Sequence, residues 1–306
     1  MTIAHSPFQP PWNFLGLPER LAAPQRARAW LLPIGYEATT SYGAGTRDGP
    51  AAIIAASRQV ELYDREFGSE PALDYGVHTM PELGHQHGSP EMMIRTIERV
   101  VGDILGGTPA PAVLGVLGGE HSISAGVVRG MARVHDDGKL VAVQIDAHAD
   151  LRDEYEGSPW SHACAARRIL DVCPVFQIGI RNISAGEEEF RRSSRQVKTV
   201  FSEQAADGGF LKELARFVRG KRVFLTIDLD GLDPSIMPSV GTPEPDGLSW
   251  SMVLQIVRTI VRSAAAMPVF DVVELAPIPA LRGPDFLAAK LVYKIMSLAL
   301  LGAGRR

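Results

Sequence analysis

Short, nearly unbroken apolar runs recur along this chain, with stretches of helical periodicity between them. No other feature restricts the fold as tightly. The runs fall at 30–35, 111–117, 139–145, 175–180, 221–227 and 269–275. Strands buried on both faces lose the alternation of half-exposed strands and read as continuous apolar segments. The intervening segments carry the helical signal. Over 91–105, Met93, Ile97, Val100, Val101, Ile104 and Leu105 share one face. Over 249–262, Val253, Ile256, Val257, Ile260 and Val261 do the same, with Ser249 placed to cap the start. Further helices are expected over 49–63, opened by Pro50, and over 285–300, behind Pro284. Strands alternating with helices predict an α/β fold with a mainly parallel sheet between two helical layers. The proline-rich segment 1–28 reads as an irregular N-terminal arm. No linker or composition break divides 29–306, which reads as a single domain.

Composition removes several function classes. A net charge of −4 offers no basic excess to hold a phosphate backbone, so nucleic acid is not an expected partner. No run of 18 apolar residues is present, so no membrane-spanning helix is expected. Residues 1–11 lack the charged start and apolar run of a signal peptide. The two cysteines, Cys164 and Cys173, make neither a disulfide framework nor a zinc pattern. They read as reduced thiols of a cytoplasmic protein.

In open parallel sheets, ligands bind beyond the carboxyl ends of the strands, and the polar clusters of this chain fall there. The run ending at Leu117 leads into Gly118-Gly119-Glu120-His121-Ser122. That ending at Ile145 leads into Asp146-Ala147-His148-Ala149-Asp150. That ending at Ile227 leads into Asp228 and Asp230, and the last reaches Glu274. Alternate residues of an extended segment point the same way. Asp146, His148 and Asp150 can therefore face one point, and Asp228 and Asp230 repeat the device. Four crowded aspartates repel unless a cation neutralises them. A carboxylate-rich, histidine-poor set suits a hard or borderline divalent ion such as Mn²⁺, and its size suffices for two ions bridged by aspartate. A lone Asp after a strand is usually a turn former or helix cap, and Asp233-Pro234 reads that way. The coincidence of the other clusters favours metal. No phosphate loop, dinucleotide fingerprint or nucleophile elbow is present. His85-Gln86-His87 reads as an exposed loop. His5, His78 and His135 have no visible partners, and Arg167-Arg168 reads as a helix surface.

These residues resemble the ureohydrolase family of arginase, agmatinase and formiminoglutamase. The resemblance rests on Gly-Gly-Glu-His-Ser at 118–122, Asp-Ala-His-Ala-Asp at 146–150, Ser-His-Ala-Cys at 161–164, Asp-Leu-Asp-Gly-Leu-Asp-Pro at 228–234, Val-Glu-Leu-Ala-Pro at 273–277 and the loop from Tyr42 to Pro50. It runs from about residue 30 to 300 and implies an arginase-like fold. It also implies a homotrimer or homohexamer holding two Mn²⁺ per chain. His121 and Asp150 would bind the first ion, His148 and Asp230 the second, and Asp146 and Asp228 would bridge them. The family's proton-shuttling histidine corresponds to His162, its guanidinium-binding carboxylate to Glu274, and a threonine near its substrate to Thr242.

The implied reaction releases urea and an amine from a small guanidino substrate. Two cations lower the pKa of water towards neutrality, and a histidine that titrates near the working pH suits the proton transfer. After Asp150 the chain reads Leu151-Arg152-Asp153-Glu154-Tyr155-Glu156, and Asp153, Glu154 and Glu156 are expected to favour a distal amine over a carboxylate. Agmatine, yielding putrescine in polyamine biosynthesis, is the leading substrate on this reading. Aminopropylagmatine, guanidinobutyrate, arginine and formiminoglutamate are alternatives, as is a non-catalytic metal-binding scaffold of the same fold.

Overall fold

In the computed structural model, residues 9–85, 88–135 and 137–302 are described. Eight strands form one sheet: β1 (Ala29–Ile34), β2 (Val77–Thr79), β3 (Val113–Gly118), β4 (Leu140–Ile145), β5 (Val175–Ile180), β6 (Val197–Phe201), β7 (Arg222–Asp228) and β8 (Ala266–Val273). Their order is β2-β1-β3-β8-β7-β4-β5-β6 and every pairing is parallel. The expected α/β/α architecture is present.

Alternate residues of the buried strands serve opposite layers, as the pleat requires. Leu31, Val141, Val143 and Ile145 enter one core, with the helices Gly49–Ser57, Leu211–Val218, Trp250–Ser263 and Gly283–Leu301. Trp30, Leu32, Ile34, Leu140 and Ala142 enter the other, with Pro90–Leu105, Ser124–Ala132 and Ala165–Leu170. Ser89 and Ser249 accept from Met92 N and Met252 N and cap their helices. In the described part of the arm, a turn at Phe14–Gly16 and a one-turn helix at Glu19–Ala22 bury Phe14, Leu17 and Leu21 in the first core.

Two expectations need correction, and two strands went unpredicted. The helix expected over 49–63 is Gly49–Ser57. Ser57 Oγ donates to Ile54 O and accepts from Leu15 N, which ties the helix end to the arm, and the chain then turns. The strands β2 and β6 carry no continuous apolar run, because each is an edge. β2 has three residues, and β6 holds an exposed Lys198. Arg167-Arg168 is not a plain surface. The Arg167 guanidinium lies 3.8 Å over the Phe190 ring, and Arg168 binds Asp153.

The strand order determines where the site can form. β3 and β4 are consecutive in sequence but separated by β8 and β7 in the sheet. The chain therefore leaves β3 to one side and returns on the other, which opens a crevice at the carboxyl ends of the four central strands. Among the described residues no helix is long and apolar enough to cross a membrane.

Candidate metal centre

The ends of the four central strands and the loops beyond them bring eight of the predicted residues to one cavity of about 220 Å³. His121, His148, Asp150, His162, Asp228, Asp230, Thr242 and Glu274 line it, along with Arg152, Tyr155, Asn182 and Glu187. Two of its residues, Asp150 and Glu274, have left-handed backbones, with φ of 51° and 66°. Such conformations cost energy for residues other than glycine and cluster at functional sites. Close approach fixes the neighbouring glycines: a Cβ on Gly119 would lie 2.0 Å from Tyr36 O, and one on Gly231 2.8 Å from Asp146 N.

The donor atoms fall into two groups, His121 with Asp146 and Asp150, and Asp146 with His148 and Asp230. His121 Nδ1 lies 3.1 Å from Asp146 Oδ2, 3.1 Å from Asp150 Oδ2 and 3.3 Å from Asp228 Oδ2. His148 Nδ1 lies 2.8 Å from Asp230 Oδ2 and 3.8 Å from Asp146 Oδ1. Asp146 thus turns one oxygen to each histidine. His121 Nδ1 is buried without a hydrogen-bond partner. Its other ring nitrogen, Nε2, is 2.9 Å from Thr226 Oγ1. With Nε2–H donating to Thr226, the Nδ1 lone pair faces three carboxylates. An acceptor aimed at acceptors fits a divalent cation.

The electrostatics agree. Burial, with Asp150 and Asp230 nearby, pushes Asp146 up to about 7. Burial raises Asp228 well above the usual carboxylate range, with Asp230 and Asp146 adding to it. Burial alone would depress His121, but Asp146, Asp150 and Asp228 override it and hold the imidazole well above its ordinary value. Asp230 is lowered in spite of burial by its bond to His148. Without metal, the cluster can relieve its charge only by taking up protons. Among the described residues, the ion pairs of these four aspartates are with His121 and His148 alone.

Backbone and side-chain bonds hold the carboxylates in place. Asp146 Oδ1 accepts from His148 N and Oδ2 from Gln144 Nε2. Gln177 bonds Gln144 in turn, and both amides are fully buried. Asp228 Oδ1 accepts from Asp230 N, and Asp230 Oδ1 from Ala147 N. The Arg181 guanidinium donates to the carbonyls of Asp230 and Glu244, among others, and fastens the loop after β7. Glu274 Oε1 accepts from His121 N at 2.6 Å, and burial pushes the carboxyl up to about 8. Thr242 Oγ1 reaches Asp230 Oδ2 at 3.5 Å. His162 follows Ser161 into a short turn, with its ring edge-on to Tyr155.

The acidic loop is a correction. Asp153, Glu154 and Glu156 are exposed and none lines the cavity. Arg167 and Arg168, from the helix behind, draw Asp153 outwards at 3.5 and 2.7 Å. Glu156 sits in the turn closed by Tyr155 and Ser158. From the same loop Arg152 and Tyr155 enter the cavity lining instead. Glu187 was missed. It closes a capping box with Ser184 and accepts from Leu151 N, and the Ser-x-x-Glu spacing was its available signal. Gln144, Gln177 and Arg181 had none, since each acts through the fold. His78 Nδ1 donates to Ala22 O, a partner invisible in sequence. His85 is exposed; His5, Gln86 and His87 lie outside the described residues.

Residues 27–298 match the Arginase family. An N(1)-aminopropylagmatine ureohydrolase of Synechocystis is 39% identical, over 87% of both chains. An agmatinase of Halalkalibacterium halodurans is 30% identical, over 83% of this chain and 85% of its own. The crystal structure of the agmatine ureohydrolase of Thermoplasma volcanium superposes with a TM-score of 0.82 at 30% identity, covering 95% of this chain and 94% of that one. The chain belongs to the arginase family and is an agmatinase-like ureohydrolase.

Proposed function

We propose that the protein hydrolyses a guanidino polyamine to urea and an amine, using two Mn²⁺ per chain. N(1)-aminopropylagmatine is the first substrate of this reading. Agmatine, which leads when the loop acids are read from sequence alone, becomes the second. The observation that carries the proposal is His121 Nδ1, buried without a hydrogen-bond partner against three carboxylates beside Glu274. The name of the Synechocystis relative favours aminopropylagmatine, and that of the Thermoplasma structure favours agmatine.

In this reading His121, Asp146, His148, Asp150, Asp228 and Asp230 are the residues that would hold the two ions. When bound, the pair supplies Lewis acidity and lowers the pKa of water towards neutrality. The chain's own groups do the rest. Glu274 receives the guanidinium through its planar fork, and the arriving positive charge favours the ionised form that burial disfavours. His162 carries a proton to the departing amine. Thr242 lines the cavity beside Asp230. Arg152 is the cation of the lining; it is stacked over Tyr155 at 5.0 Å and lies 3.8 Å from Glu187. The lining therefore stays acidic overall and disfavours a substrate carboxylate.

The test is product release with Mn²⁺: urea from aminopropylagmatine, agmatine, arginine and guanidinobutyrate, and formamide from formiminoglutamate. The highest kcat/KM is expected for aminopropylagmatine, then agmatine. Preference for an anionic substrate would overturn the substrate assignment. Absence of product from all five would favour a non-catalytic scaffold.

A further inference from the structure

His162 is the proton carrier of the proposed reaction, and a proton carrier is useful only if the correct ring nitrogen faces the substrate. The hydrogen bonds behind it make that choice. Glu120 is fully buried and plays no part in the metal groups. Its Oε2 accepts from Ala38 N and Thr39 N, both at 2.6 Å. Its Oε1 accepts from Thr39 Oγ1 at 2.8 Å and from Ser122 Oγ. The two peptide N–H groups can only donate, so the carboxylate is oriented by the backbone, and Thr39 spends its single hydroxyl proton on it. Thr39 Oγ1 is left with lone pairs. One accepts from His162 N at 3.0 Å and the other faces His162 Nδ1 at 3.3 Å. A lone pair is satisfied only if Nδ1 carries the proton. Ser161 Oγ, also 3.3 Å from Nδ1, can donate or accept and follows that choice. Nε2 is then the free acceptor, with Ser41 Oγ of the cavity wall 3.5 Å away.

We propose that Thr39, locked by Glu120, is the positioning residue that holds His162 in the tautomer protonated on Nδ1, leaving Nε2 to exchange protons in the cavity. This rests on the reading of His162 as proton carrier. Thr39 itself does not line the cavity. Its effect on the reaction therefore passes through the imidazole.

The tautomer is read directly from the ¹⁵N shifts of histidine-labelled full chain carrying a diamagnetic divalent ion, with the His162 signal assigned by its loss in His162→Ala. The expected result is protonated Nδ1 in the wild type. Glu120→Gln provides an inversion. Its amide oxygen must stay on the two peptide N–H groups, so its NH₂ faces Thr39 and turns the hydroxyl proton onto Nδ1. The His162 signal should move to the tautomer protonated on Nε2. In Thr39→Val the preference should relax and kcat fall about 10–100-fold, the penalty typical of losing a partner that orients a reacting group. KM and metal content should hold, and Thr39→Ser should restore both kcat and the signal. Protonated Nε2 in the wild type, or unchanged kcat in Thr39→Val, would overturn the proposal. If His162→Ala itself keeps full kcat, the proton-carrier reading fails, and the ¹⁵N result still decides what Thr39 does.

Discussion

Two groups of carboxylates in this protein meet opposite fates. Behind the helix Gly283–Leu301, Asp64 and Glu66 share Lys294 Nζ at 2.7 and 2.8 Å, and Glu66 also takes the Arg258 guanidinium. The Arg258 hydrogen bond holds Glu66 down at about 2, with Lys294 adding to it. At the sheet edge Asp146 and Asp228 have no such cation, and burial drives them up. The first group is electrically complete when the chain folds. The second is complete only when something outside the chain joins it. Burial alone therefore does not mark a candidate metal site; a cluster of buried carboxylates without a resident cation does.

The contrast can be broken by mutation. The largest effect should come from Asp228→Asn, which removes a carboxylate from the uncompensated group. Metal content should fall below two ions per chain and urea release should collapse, by more than the roughly 10–100-fold cost of losing a partner behind a ligand. The same variant stripped of metal should melt above stripped wild type, because a repulsion has gone. A stripped wild type that melts no lower than the variant would show that the cluster needs no cation. His162→Ala leaves the cluster whole and removes only proton handling. We expect a loss of about 10²–10⁴-fold in kcat with both ions retained, measured by metal analysis beside the assay. A parallel loss of metal would reassign His162 as a ligand. Lys294→Met takes the cation from the complete group and leaves Asp64 buried and unneutralised. Thermal and denaturant melts should show about 3–5 kcal/mol of lost stability, with kcat per folded chain unchanged. The smallest effect should follow neutralisation of Asp153, Glu154 and Glu156 together. These charges face water, where a pair is worth roughly 0.2–1 kcal/mol, so kcat/KM should shift by a few-fold at most and substrate ranking should hold. A reordered ranking would return the loop acids to the site.

Legibility in the sequence follows the same division. His121, Asp146, His148, Asp150, Asp228, Asp230 and Glu274 could be read because their chemistry repeats at the spacing of an extended chain and falls at the ends of apolar runs. The six longer strands could be read because burial on both faces leaves an unbroken apolar record. The edge strands β2 and β6 leave none. The acidic loop misled because a run of like charge carries no sign of where each side chain points. Arg167 and Arg168, more than ten residues downstream, decide that for Asp153. Glu120 lay inside a quoted motif, yet its partners Ala38 and Thr39 stand over 80 residues away, as their separations of 82 and 81 record.

The cavity wall and the cavity floor have different origins. The clustered histidines and aspartates sit at or just beyond the ends of β3, β4 and β7, while Thr40 to Gly43, Arg152, Tyr155, Asn182, Gly241 and Thr242 come from connecting loops. Exchanging one of these loops should change what the cavity accepts without disturbing the register that keeps four aspartates within reach of two histidines. Grafting the 151–158 loop between family members is the corresponding route to a new substrate range.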